Sequence, residues 1–95
     1  MVKFVTLIRF TEAGAKGIKQ STARASDFRK SAEKMGVKVD AQYWTVGAYD
    51  GILVLSADNE QKILRCLADL TSAGNVRTQT LRAFDAGEFE ALIGK

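Results

Sequence analysis

The sequence contains no histidine, no proline and a single cysteine. Without an imidazole there is no Ser–His or Cys–His nucleophile pair, no His-ligated metal centre and no haem held by a protein imidazole. Cys66 has no partner for an internal disulfide and belongs to no metal-binding spacing. With no proline, no element is interrupted by a residue lacking a backbone donor. Aromatics make up only 8% of the chain, so each one calls for a reason to be where it is. Long apolar runs are missing too. The opening MVKFVTLIRF is broken by Lys3 and Arg9, which argues against a signal peptide or a membrane span. An unpaired thiol and no export signal lead us to expect a cytoplasmic protein with no membrane partner.

What is present describes one ordinary globular domain over residues 1–95, with 46% hydrophobic and 26% charged residues. A domain of this size buries only about 60–65% of the surface its unfolded chain exposes, so burial against a partner adds to stability. KFVTLIRF (Lys3–Phe10) is rich in β-branched and aromatic residues and reads as a strand. The following TEAGAKGIKQ shows no helical stripe and reads as a long loop. Ser21 is the expected N-cap of a helix over Thr22–Met35, with Ala25, Phe28, Ala32 and Met35 on one face and Gly36 ending it. A second strand is expected over Val37–Val46 and a third over Gly51–Ala57. Asp58, with Gln61 three residues on, is the expected cap of a second helix. Its stripe is Ile63, Leu64, Leu67 and Leu70, and Gly74 closes it. A fourth strand follows over Val76–Phe84, and Asp85 with Glu88 starts a short last helix carrying Phe89, Leu92 and Ile93.

The order is βαββαβ plus a helical tail, the α+β plan called ferredoxin-like: a four-stranded antiparallel sheet with two helices on one face. Strand three reads ILVL, apolar on both faces, because successive side chains point opposite ways. Strand one behaves alike, with Phe4, Ile8 and Phe10 on one face and Val5 and Leu7 on the other. Two helices cover one face only, and an apolar sheet face left in water is an aggregation hazard. The simplest cover is a second copy, so a homodimer is expected.

YWTVGAYDG (residues 43–51) resembles the signature hairpin of the GYD-domain family, whose Gly-x-Tyr-Asp is here Gly47, Tyr49 and Asp50. GNVRTQTLRAF (residues 74–84) is similar to the last strand of that family, and TLIRFT and Gly17–Ile18–Lys19 match in character. Thr22 departs from the pattern, standing where the family often has proline. The resemblance spans nearly the whole chain and implies a dimeric α+β barrel in which two ferredoxin-like sheets face each other. Small monooxygenases, dehydratase-like proteins and haem enzymes share that barrel, so it implies no particular activity.

The candidate site is the opening of this hairpin and the last strand. Trp44 and Tyr49 offer apolar bodies with polar ends, and Asp50 is placed to accept from loop N–H groups. They either clasp a dimer or wall a small-molecule cavity between sheet and helices; the clasp is the plainer reading. Arg77 and Arg82 alternate on the last strand, where either could fork onto a carboxylate, pair with Asp50, or guard the sheet edge. The loop AGAKGIK lacks the Gly-Lys-Ser/Thr ending of a phosphate loop. Seven basic residues between Lys16 and Lys38 read as a solvated helix face, and no base-stacking motif makes nucleic acid a partner. Cys66 is expected to be a buried, inert thiol. The sequence therefore points to a homodimeric small-molecule-binding or scaffold module, with a small apolar or aromatic molecule as ligand and no metal or other cofactor. The alternative is a small cofactor-free oxygenase or isomerase with Asp50 as its only base.

Overall fold

In the computed structural model, which describes residues 1–94, the N-terminal β-branched run forms β1 (Val2–Phe10). There follow a short α1 (Glu12–Lys16), one turn of 3-10 helix (Ile18–Gln20), α2 (Ser21–Lys34), β2 (Lys38–Trp44) and β3 (Gly51–Ala57). The chain then builds α3 (Glu60–Ser72), β4 (Val76–Ala83) and α4 (Ala86–Leu92). The strands form one antiparallel sheet in the order β2-β3-β1-β4. With α2 against β2 and α3 against β3 and β4, this is the α+β, ferredoxin-like arrangement expected from the sequence.

The two strands that are apolar on both faces lie at the centre. Their register, Phe4 opposite Leu55 and Thr6 opposite Leu53, lines up the side chains that meet the helices. Leu53, Leu55 and Ile63 are fully buried there, each contributing roughly 1.5–3 kcal/mol of hydrophobic stabilisation. Ala32, Val37, Cys66 and Leu67 close the core from the helix side. Thr6 is also fully buried, and its hydroxyl is satisfied by a hydrogen bond of 3.1 Å with the Thr80 hydroxyl directly across the strands.

The opposite face of the sheet carries two cross-strand rows. One runs Ala41, Val54, Val5, Leu81 and the other Tyr43, Ile52, Leu7, Gln79. Val5, Leu7, Ile52 and Val54 are only half-buried by their neighbours, and Tyr43 and Leu81 are exposed. Lys38 and Lys3 bound the rows at one end, Arg9 and Arg77 at the other. We call this the open face. A second apolar surface lies on α4, which makes no extensive contact with any other element and leaves Phe89, Leu92 and Ile93 exposed.

Several local expectations are corrected. The segment expected to be a loop contains α1, because Thr11 caps it by accepting from the Gly14 N–H at 3.2 Å. The same Thr11 hydroxyl donates to the Gly74 carbonyl at 2.6 Å, and the Thr11 N–H donates to the Asn75 carbonyl at 3.0 Å. The helix is too short to show a stripe. Ser21 is the first residue of α2 rather than its cap, since the 3-10 turn already feeds the helix through Gln20. Asn59 caps α3 in place of Asp58: its extended backbone (φ −147°) lets Oδ1 accept from the Lys62 N–H at 3.0 Å. Asp58 instead pairs with the Lys62 ammonium at 3.5 Å. Leu64 lies outside the buried stripe, 48% exposed, and Cys66 stands beside Ile63 and Leu67 in its place. β2 is shorter than expected and is interrupted by a bulge between Val39 and Ala41, while β4 stops at Ala83. Gly36 (φ +82°) ends α2 as expected, and Asp85 with Glu88 forms a full capping box on α4.

Candidate functional site

The chain leaves the sheet at Trp44 and turns through Gly47, whose φ of +136° is one that side chains with a Cβ avoid. Thr45 then ties the hairpin shut: its N–H donates to the Asp50 carbonyl at 2.9 Å and its hydroxyl to the Tyr49 carbonyl at 2.6 Å. Asp50 fastens the hairpin to the central strand in both senses. Its N–H donates to the Ile8 carbonyl at 2.7 Å, and its carboxylate accepts from the Phe10 N–H at 2.8 Å. Beyond Asp50 the chain enters β3 at Gly51, opposite Ile8.

Tyr49 and Asp50, adjacent in sequence, serve different faces. Tyr49 lies with the open face, where its hydroxyl donates to the Gln79 side-chain oxygen at 2.6 Å and the Arg9 guanidinium stacks 4.8 Å over its ring. Asp50 borders a cavity of about 340 Å³ on the helix face. The cavity is walled by Ile8, Phe10, Leu53 and Val76 of the sheet, Phe28 of α2 and Leu70 of α3, with half-exposed Trp44 at its rim. Its charged groups are Arg24, Asp27, Asp50 and Asp69. The Arg24 guanidinium is held by the Gly17 carbonyl at 2.8 Å and the Gly14 carbonyl at 3.4 Å. Cys66 also borders the cavity; burial pushes its thiol from the ordinary 9.0 up to about 11, and the neighbouring Asp69 carboxylate adds to the rise.

Of the five side chains singled out in the sequence, only Trp44 and Asp50 meet at this cavity. Arg77 is exposed on the open face, directly opposite Arg9, beside a shallow depression formed with Thr11, Thr71 and Gly74. Arg82 sits opposite Phe4, towards the other end of the sheet. There it donates to the Lys3 and Ala83 carbonyls and stacks over the rings of Phe4 and Phe84, at 5.6 and 4.5 Å. Neither arginine pairs with Asp50, because the register carries Arg82 away from it and the carboxylate faces the Phe10 N–H. Among the described residues the ion pairs are Glu12–Lys16, Lys38–Asp40 and Asp58–Lys62.

Sequence reasoning missed Arg24, Asp27 and Asp69 as cavity residues. On the helices they look like any solvated charge, and only the packing of α2 and α3 over the sheet gathers them. Phe28 carried a signal, its place in the stripe of α2, which marks core and cavity wall alike. Among the described residues no group of three or more His, Cys, Asp or Glu is placed to hold a metal, and no helix is long and apolar enough to cross a membrane.

Comparison with known proteins adds three findings. The family model of the GYD domain matches residues 4–93. A curated protein of Thermus thermophilus, named glutamine synthetase and cystathionine beta-lyase binding protein, is 32% identical over 94 residues, spanning 98% of this chain and 99% of that protein. The crystal structure of TTHA0845, also from Thermus thermophilus, superposes with a TM-score of 0.59 at 22% identity, over 90% of this chain and 96% of the other, which shows a shared fold.

Proposed function

The chain belongs to the GYD-domain family, and from that premise we propose that it is a homodimeric binding or scaffold module that works in the cytoplasm, self-associating through the open face of its sheet. The observation that carries this reading is the pair of apolar rows centred on Val5, Leu7, Ile52 and Val54, which α2 and α3 leave uncovered. A continuous apolar face on a central pair of strands is stable when another such face covers it, and a second copy supplies one of matching shape. The rows of one chain then pack on those of the other, and α2 and α3 of each copy stay outside, available to other proteins. The name of the Thermus thermophilus relative supports protein partners, in that case two enzymes.

Size-exclusion chromatography with light scattering tests the reading. The expected mass is twice the 10.4 kDa of the chain. A monomer persisting at high protein concentration overturns it.

A second function rests on the cavity. Its volume of about 340 Å³ falls within the roughly 300–1,000 Å³ typical of small-molecule sites, and its walls are mainly apolar. We therefore assign to the same module a small apolar or aromatic ligand, seated between the sheet and the helices. The alternative of a cofactor-free oxygenase or isomerase is less well supported, since the base the sequence offered for it, Asp50, accepts the Phe10 N–H and ties the hairpin to β1, and the other two cavity carboxylates, Asp27 and Asp69, are exposed to water.

A further inference from the structure

We propose that the ligand of the helix-face cavity is a hydrophobic cation, an amine or quaternary ammonium carried on an aromatic or aliphatic body. The inference deepens the small-molecule reading given above and rests on it. The cavity comes first: about 340 Å³, walled by Ile8, Phe10, Phe28 and Leu70, with the ring of Trp44 at the rim. Such walls desolvate an apolar body and leave the charge on the ligand to be chosen by the few polar groups around it.

Those groups carry a bias opposite to that of the chain as a whole. The sequence has a net charge of +3, yet the cavity is bordered by three carboxylates and one guanidinium. The guanidinium of Arg24 already donates to the Gly14 and Gly17 carbonyls, which hold it towards α1. The carboxylates are unclaimed by comparison. Among the described residues the exposed carboxylates of Asp27 and Asp69 accept no hydrogen bond and form no ion pair, the Ser72 hydroxyl donating to the Asp69 backbone carbonyl instead, and Asp50 uses one oxygen, Oδ2, on the Phe10 N–H. A bound ammonium would meet carboxylate oxygens at the rim of a cavity that Trp44 also lines, and an indole is itself a favourable neighbour for such a charge. An anionic ligand would face all three carboxylates. The exposed helix α4 of a second copy is disfavoured as occupant for the same reason, since Glu88 and Glu90 flank its Phe89.

Trp44 is the only tryptophan in the chain, so its fluorescence reports this site alone. The test titrates the full chain with phenethylammonium, phenethyl alcohol and phenylacetate, which share a ring and differ in charge. Phenethylammonium is expected to give a saturable change with an affinity roughly tenfold above that of the alcohol, and phenylacetate to bind more weakly still. In the double variant Asp27→Asn, Asp69→Asn the preference for the amine over the alcohol should shrink several-fold while the melting temperature holds, because neither carboxylate supports the fold through a hydrogen bond. Equal binding of amine and alcohol, or tighter binding of phenylacetate, overturns the assignment of charge. A flat response to all three overturns the ligand site itself. Light scattering on the same samples reports the dimer separately, so failure of the cavity proposal and failure of the self-association reading are told apart.

Discussion

Asp50 acts as a structural fastener whose carboxylate also borders a cavity, and the two roles separate by substitution. Asp50→Ala leaves the Phe10 N–H without its acceptor, and an unpaired, partly buried donor costs about 1–3 kcal/mol. For a domain of this length each 1 kcal/mol lowers the melting temperature by about 4–8 °C, so a drop of that order or more is expected in a thermal melt. Asp50→Asn keeps an acceptor oxygen and should recover much of the loss. Equal melting temperatures for the Ala variant and the native chain would show that the bond contributes nothing. Cys66 makes a second prediction at this scale. Its thiol is protonated in the folded state up to about pH 11, whereas the unfolded thiol ionises near its ordinary 9.0. Below pH 9 both states hold the proton and the group is neutral to stability; between 9 and 11 the unfolded state alone releases it, so stability falls as pH rises. Cys66→Val should remove that component of the decline in urea unfolding between about pH 8 and pH 10.5, and an identical slope in both proteins would refute it. Residue roles were legible in the sequence where the chemistry is local. A carboxylate in a tight turn announces itself, as Asp50 does, but which of two arginines on one strand could reach it depends on register. Arg82 and Asp50 are separated by the pairing of β1 with β4, which no local pattern encodes.

At the scale of elements, strong periodicity was readable and short connections were not. β1, β3 and the stripe of α3 stand out because their side chains repeat at the spacing of strand or helix. The segment after Phe10 does not, since α1 is five residues long and exists by virtue of tertiary partners: Thr11 bonded to Gly74 and Asn75, and Gly14 tucked beneath Asn75. The closeness of that last contact is testable. A Cβ on Gly14 would lie 2.0 Å from the Asn75 carbonyl oxygen, which is backbone and cannot swing aside. Gly14→Ala should therefore destabilise the chain by more than about 1 kcal/mol despite the higher helix propensity of alanine. Chemical denaturation checks it, and a stabilised variant would mean that α1 packs elsewhere. The caps show the same division. Asp85 and Glu88 were readable because both halves of the capping box lie close together in the chain, whereas the choice of Asn59 over Asp58 turns on which of two neighbours takes up extended backbone.

For the whole molecule, the order of the four strands with the two helices packed on them, and the two-sided apolar character of the central pair of strands, followed from the sequence, and the open face with its cross-strand rows is their consequence. Val54 is the sharpest probe of that face, since it is half-buried in the single chain and directly opposite Val5 in the sheet. Val54→Asp should be tolerated by the monomer and refused by a packed pair of faces, where a carboxylate would be buried without a partner. The expected result is a soluble monomer in light scattering with an unchanged far-UV circular dichroism spectrum; a soluble dimer would sink the sheet-to-sheet arrangement. The cavity was less legible, because its volume is a difference between two surfaces and belongs to neither. Trp44 was recognisable as a rim aromatic, but Asp27 and Asp69 become neighbours of it only after α2 and α3 dock.

Tyr49 and Asp50 share one peptide bond, yet the first reaches Gln79 on the open face and the second reaches the cavity and Phe10 on the helix face. One short hairpin therefore borders both the open face and the cavity. On the proposed reading, in which a ligand fills the cavity and two chains pair through the open face, this hairpin would link the two equilibria: a ligand that tightens the dimer by some factor must itself be held tighter by the dimer, by that same factor. On that reading a single dipeptide would let the protein report the presence of a small molecule to whatever reads its oligomeric state.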